Sequence, residues 1–189
     1  QSKESTPISK GEIVFEEVLQ LNISIEGDAA AFAHLLPKED KSEKVLYFND
    51  EFSLYKNVEA NNVEENLGME EEEGGIRIKM EKGENKVFHD IKNKKLIEER
   101  EFMTRKFLIN SNVDNSNWKL TENKNEILGY ICQEAVKIKD SSEIHAWFTS
   151  AIPVSTGPFG FCDLPGMILA VDIDNGQHTI VATSISKDE

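Results

Sequence analysis

Cysteine, histidine and positive charge are all scarce in this chain of 189 residues. Its two cysteines, Cys132 and Cys162, exclude the disulfide framework of small secreted scaffolds and leave room for one bridge at most, in an oxidising compartment. Against 35 Asp and Glu stand only 21 Lys and Arg, a formal net charge of -14. Such a surface repels a phosphate backbone and anionic lipid, and no basic stripe interleaved with aromatics offsets it, so nucleic acid is not an expected partner. No apolar run is long enough to cross a bilayer as a helix. The four histidines, His34, His89, His145 and His178, stand singly and none sits at zinc-ligand spacing. A G-x-S-x-G elbow and a glycine-rich phosphate loop are both missing. The residues thus offer no catalytic motif, no metal set and no cofactor box.

What is present is a balance of 39% hydrophobic and 30% charged residues, which suits one globular domain with a hydrophobic core. The start, Gln1-Ser2-Lys3-Glu4, has neither an initiator Met nor an apolar h-region, as expected of an exported protein whose signal peptide has been removed. Residues 1–10 read as a flexible mature N-terminus and residues 11–187 as the domain.

In EIVFEEVLQLNISI the apolar residues Ile13, Phe15, Leu19, Leu21, Ile23 and Ile25 fall on odd positions, the period of a half-buried strand. Asp28 to Leu36 reads as a short helix capped by Asp28 and stopped by Pro37. KVLYFNDEFSLYKN reads as a hairpin about Asn49-Asp50. Residues 57–75 are acidic and Asn-rich, a solvated loop. Then come IRIKM, KVFHDI, KKLIEEREFMTRKFLI, ILGYICQEAVKI, EIHAWFT, MILAVDI and HTIVATSIS, separated by tight-turn compositions such as KGEN, KDSS and DNG. Strand after strand with short turns predicts a mainly β fold: a single, strongly curved antiparallel meander, half-barrel-like, with one or two short helices.

Three arrangements merit weighing as chemistry. Cys132 and His145 pair on paper as nucleophile and base, but a thiol inside YICQEAV reads more simply as an inert core residue. Asp172-Ile173-Asp174-Asn175-Gly176 opens like a calcium loop, yet its glycine is out of register and no glutamate closes it, so Asn175-Gly176 reads as a hairpin turn. A hydrolase site assembled in space from Asp163, His145 and Thr149 is the remaining catalytic reading.

The densest stretch is TGPFGFCDLPGM, Thr156 to Met167. Leu164-Pro165-Gly166-Met167 predicts a type II turn, with Pro fixing φ and Gly supplying a positive φ. A stiff loop carrying Phe159, Phe161 and Leu164 either plugs the open end of a curved sheet or presents apolar groups to a partner. If the loop folds back, Cys162 approaches the strand that bears Cys132, and a bridge there depends on their Cα atoms coming within about 7 Å.

WKLTENKNEILGYICQEA followed by AWFTSAIPVSTGPFGFCDLPGMILAV resembles the GLPGLI family, exported proteins of Gram-negative bacteria named for a signature hexapeptide. The resemblance rests on Trp118, Gly129, Tyr130, Cys132, Trp147, Phe148, Gly157, Pro158, Phe161, Leu164, Pro165 and Gly166 among others; Asp163 and Met167 depart from the hexapeptide. It implies a periplasmic or outer-membrane-associated protein with no established enzyme activity, and no obligatory disulfide. The reading that follows is a non-catalytic cell-envelope protein that takes an apolar ligand or a protein partner. Its binding set is Trp147, Phe148, Gly157, Pro158, Phe159, Phe161, Leu164, Pro165 and Gly166. The alternatives are an accessory subunit of an outer-membrane transport complex and the hydrolase above.

Overall fold

Period-two alternation is realised as strands throughout the described residues, which are 7–22, 37–58, 85–102, 105–113 and 117–187 of a computed structural model. Among these residues eleven strands follow one another: β1 (Gly11–Gln20), β2 (Glu39–Phe48), β3 (Phe52–Asn57), β4 (Lys86–Asp90), β5 (Lys95–Phe102), β6 (Arg105–Asn112), β7 (Lys119–Ile127), β8 (Tyr130–Lys139), β9 (Ser142–Thr149), β10 (Met167–Ile173) and β11 (His178–Lys187). They form one sheet in the order β6-β5-β4-β3-β2-β1-β11-β10-β9-β8-β7, and the pairings between neighbours are antiparallel. Two meanders, β1 to β6 and β7 to β11, are joined through β1 and β11 at the centre. The consecutive strands β6 and β7 therefore stand at opposite edges and do not pair, so the sheet is not closed into a barrel.

The curvature is visible in one contact. A 3-10 turn at Pro158–Gly160 touches both β4 and β10, which lie five strand spacings apart. On a flat sheet that is roughly 24 Å, so the sheet must curl around the turn. Its inner face carries the core. One cross-strand row runs Ile13, Leu46, Tyr55, Val87, and another runs Ile180, Val171, Ala146, Ala135. All eight of these side chains are buried.

Asn49 closes the β2–β3 hairpin, its side-chain oxygen accepting from the Glu51 and Phe52 amides at 2.8 and 2.7 Å. At the β10–β11 turn Asp174, Asn175 and Gly176 all have positive φ, and Asp172 Oδ1 accepts from the Gly176 amide at 2.6 Å. These two turns are as read from the sequence.

Two segments differ from that reading. KKLIEEREFMTRKFLI, which reads as one strand, is the hairpin β5–β6, and ILGYICQEAVKI starts with a turn at Leu128-Gly129, φ 51° and 81°. That turn leads back to β7, KLTENKNEI, which is polar because it lies at an edge and needs no apolar alternation. The helix expected at Asp28 to Leu36, the strand expected at IRIKM and nearly all of the acidic loop at 57–75 lie outside the described residues, as do residues 1–6.

Candidate functional site

Within residues 150–166, between β9 and β10, the stretch from Thr156 to Gly160 lies over the inner face, against β3, β4 and β10. The loop is tied down at both flanks. Towards β10, the Met167 and Ile168 amides donate to the Ile152 and Thr156 carbonyls, each at 3.0 Å. A Cβ on Gly157 would stand 2.6 Å from Ile168 Cβ, so the loop backbone presses directly on β10. Towards β3 and β4, Thr156 Oγ1 bonds Ser53 Oγ at 2.6 Å and His89 Nδ1 at 3.1 Å, all three residues buried. Burial holds the His89 pKa below its usual value. Buried polar groups so paired fix one loop position, because any other leaves them unsatisfied.

The Leu-Pro-Gly turn is tighter than the type II turn its sequence predicts. Gly166 donates to the Leu164 carbonyl at 2.8 Å, while the Met167 amide, which would close a type II turn, bonds Ile152 instead. Gly166 has φ 152°, and a Cβ there would lie 2.1 Å from the Thr149 carbonyl oxygen. Glycine is required for close backbone approach as well as for φ. Asp163 takes φ 69°, a left-handed conformation that Asp tolerates, with Lys94 Nζ at 3.6 Å from its carboxylate.

Of the binding set read from sequence, Leu164, Phe148, Gly157, Pro158 and Gly166 are buried. Trp147 and Phe148 alternate to opposite faces of β9, and Trp147 stands outside across from Glu134. Phe161 is half-buried against Trp118, whose Nε1 donates to the Cys162 carbonyl at 2.9 Å, with Lys137 Nζ 4.1 Å from the Trp118 ring centre. Phe159 and Pro165 remain exposed. Phe159 is singular: 41% exposed, held at φ 55° inside the 3-10 turn. That is a costly conformation for a large side chain and persists only when its surroundings enforce it.

Beside Phe159 lies a polar cluster that no sequence motif announces. The Phe159 ring stands edge-on to the His178 imidazole, centroids 5.8 Å apart. His178 Nε2 is 2.8 Å from Glu17 Oε1, and the Tyr55 hydroxyl donates to Glu17 Oε2 at 3.4 Å. Lys44 Nζ is 3.9 Å from the same oxygen and donates to Asn57 Oδ1. Burial alone would raise the Glu17 pKa, but the bond from His178 and the charge of Lys44 outweigh it and hold the carboxyl below its usual range. Burial, then the Glu17 charge, keeps the Tyr55 hydroxyl protonated. The signal was present in the alternation: Glu17 has the parity of Ile13 and Phe15, Lys44 that of Leu46 and Phe48, and His178 that of Ile180. Three charged or titratable residues sit on the apolar face of three adjacent strands.

The catalytic sets read from sequence are not brought together. His145 lies on the outer face, its Nδ1 2.7 Å from Glu134 and its Nε2 3.1 Å from Glu143, which raises its pKa. Asp163 faces Lys94, and Thr149 Oγ1 accepts from the Ala151 amide at 3.3 Å. The bridge considered between Cys132 and Cys162 is not formed; both are free, buried thiols, pushed up to about 11 by burial. Cys132 packs into the hydrophobic core, and Cys162 is buried beside Lys137. Among the described residues no cluster of three or more His, Cys, Asp or Glu is placed to hold a metal ion.

Residues 102–170, from the end of β5 into β10, match the model of a family described as a protein of unknown function (Porph_ging). No curated protein matches the chain. Solved structures of PNGF-II in space groups P21 and C2 are similar in fold, with TM-scores of 0.64 and 0.62 at 18% and 20% identity. The similarity takes in 96% and 95% of this chain but only 29% and 28% of those chains. What is shared with PNGF-II is the curled antiparallel sheet, and the chain spans under a third of its length.

Proposed function

We propose that this chain is a non-catalytic binding domain of the cell envelope, and that it takes a protein partner at the mouth of the inner face. The observation that carries the reading is Phe159: an exposed ring in a strained backbone position, on a loop fixed at both flanks, beside the Glu17–His178–Lys44 cluster. An aromatic anchor next to hydrogen-bonding groups is the composition of a protein-binding hot spot. Within the cluster the Tyr55 hydroxyl, which donates to Glu17, is held protonated by burial. The apolar-ligand reading is the weaker one, because Ile152, Val154 and Leu164 of the chain's own loop already pack into the hydrophobic core. The envelope location rests on the GLPGLI resemblance of the same loop.

The test is a photo-reactive phenylalanine analogue at position 159, illuminated in cells and resolved by mass spectrometry. One discrete protein adduct, absent when the analogue replaces exposed Pro165, is the expected result. An adduct of lipid-like mass would transfer the reading to an apolar ligand, and no adduct of either kind would overturn it.

A further inference from the structure

The two edges of the sheet are built differently. Edge strands are commonly blunted by bulges, charge or covering elements, because a straight bare edge is a template for another strand. β7 is blunted. Its register with β8 shifts between Leu120 and Lys124, and the displaced residues are pinned by Glu134 Oε2, which accepts from Thr121 Oγ1 and Asn123 Nδ2 at 2.7 Å each. Lys119, Glu122, Lys124 and Glu126 line the rest of it. Among the described residues β6 has neither a register shift nor a covering element, and its charge is confined to Arg105 and Lys106 at one end. It pairs with β5 without a shift over all eight residues, and every one of them is exposed. Phe107 and Ile109 (48% and 42% exposed) point to the inner side and Leu108 (68%) to the outer.

The direction of its backbone groups is fixed. The Val113 amide donates to the Lys94 carbonyl at 2.8 Å. In an antiparallel ladder the bonding alternates, so residues 107, 109 and 111 also face β5, and the N–H and C=O of Leu108 and Asn110 point away from the sheet. A two-fold axis normal to the sheet places residues of like parity opposite each other, and centred on Leu108 it gives a register suited to this sequence. Leu108 meets Leu108 and Phe107 meets Ile109, while Lys106 meets Asn110 and Arg105 meets Ser111. Apolar residues face apolar ones, and neither basic residue faces a charge. Registers centred on 107 or 109 instead set Phe107 or Leu108 against polar groups and match fewer apolar pairs.

We infer that β6 is a self-association edge, through which a second copy of this chain joins antiparallel about a two-fold axis at Leu108 and continues the sheet. An eight-residue edge is smaller than the roughly 800 Å² per partner of a standard interface, so the dimer is weak, reversible and concentration-dependent. Each copy carries a net charge of -14, so added salt strengthens it.

The experiment is sedimentation velocity of the full chain across a wide concentration range, at low and moderate salt. A monomer–dimer equilibrium is expected. Leu108→Lys, which sets two lysines face to face, is expected to weaken it at least about tenfold. Asn110→Pro removes one outward N–H without touching the apolar side chains and is expected to weaken it comparably, which separates strand pairing from mere stickiness. Far-ultraviolet dichroism and the melting temperature confirm that each variant is folded, and the Leu108 variant keeps the test intact if the proline variant is not. A wild-type chain that stays monomeric throughout overturns the inference, as does a dimer that neither substitution weakens.

Discussion

The centre of the sheet and its β5–β6 wing share one backbone geometry and one inner face, and differ in what lies on that face. Along the row Ile13, Leu46, Tyr55, Val87, Glu98, Ile109, relative exposure is 0%, 0%, 3% and 9% for the first four and 42% for the last. The opposite row behaves alike: Ile180, Val171, Ala146 and Ala135 are buried, and it ends on Leu120, 54% exposed, at β7. Alternation decides that a segment is a strand. The loop at 150–166 decides which strands are dry, so the stability of the fold is concentrated where that loop touches the sheet.

The sharpest way to break the comparison is to lift the loop. Gly166→Ala drives a Cβ onto the Thr149 carbonyl and is expected to cost about 3 to 4 kcal/mol in urea unfolding. Leu164→Ala, a fully sheltered position, should cost about 2 to 5 kcal/mol. Leu108→Ala, measured at concentrations where the chain is monomeric, should stay within about 0.5 kcal/mol. Similar losses at 164 and 108 would show that the loop does not govern where stability lies. Thr156→Val leaves Ser53 and His89 buried without their shared partner, an expected loss of about 1 to 3 kcal/mol.

The smallest effects distinguish the two Glu–His pairs. Glu17 has a lowered pKa in the fold, so its contribution is present above its unfolded value of about 4.3 and is lost as pH falls through the folded pKa. Glu17→Gln should flatten the acid limb of the stability curve. His145 has a raised pKa, so its contribution is full below the unfolded value of about 6.5 and is lost as pH rises through the folded one. Because His145 lies at the surface, His145→Gln should change stability by less than about 1 kcal/mol, and only on that limb. An acid-limb effect at Glu17 no larger than the His145 effect would mean that the inner cluster is as solvated as the outer one.

Much of this architecture was legible. The period-two runs gave β1, β4, β9, β10 and β11, and Asn49-Asp50 and Asn175-Gly176 gave their hairpins, because those signals are local and steric. β7 and the β5–β6 turn were not legible: an edge strand buries neither face, and the break in KKLIEEREFMTRKFLI carries no Gly, Pro or Asn. The loop announced itself through its Pro and Gly content, but its anchors did not, since Ser53, His89 and Thr156 are 67 or more residues apart in two of their three pairings. Glu17, Lys44 and His178 were readable one by one as charges of the wrong parity. Their convergence depends on β1 lying between β2 and β11, which no local pattern specifies.

That central placement of β1 against β11 also sets the order in which the chain can be assembled. Val14 and Thr183, bonded across this junction, are 169 residues apart in sequence, whereas the other strand pairs join consecutive strands. During synthesis β1 to β6 can pair as they emerge, and the junction waits until β11 has been made. The start of β1 lies beside the end of β11, Gly11 opposite Lys187. If those ends were linked and the chain opened between β6 and β7, sequence order would become β7 to β11 followed by β1 to β6, identical with the spatial order of the sheet. Every pairing would then be a hairpin, and with the one long closure removed such a permutant should reach the same structure faster.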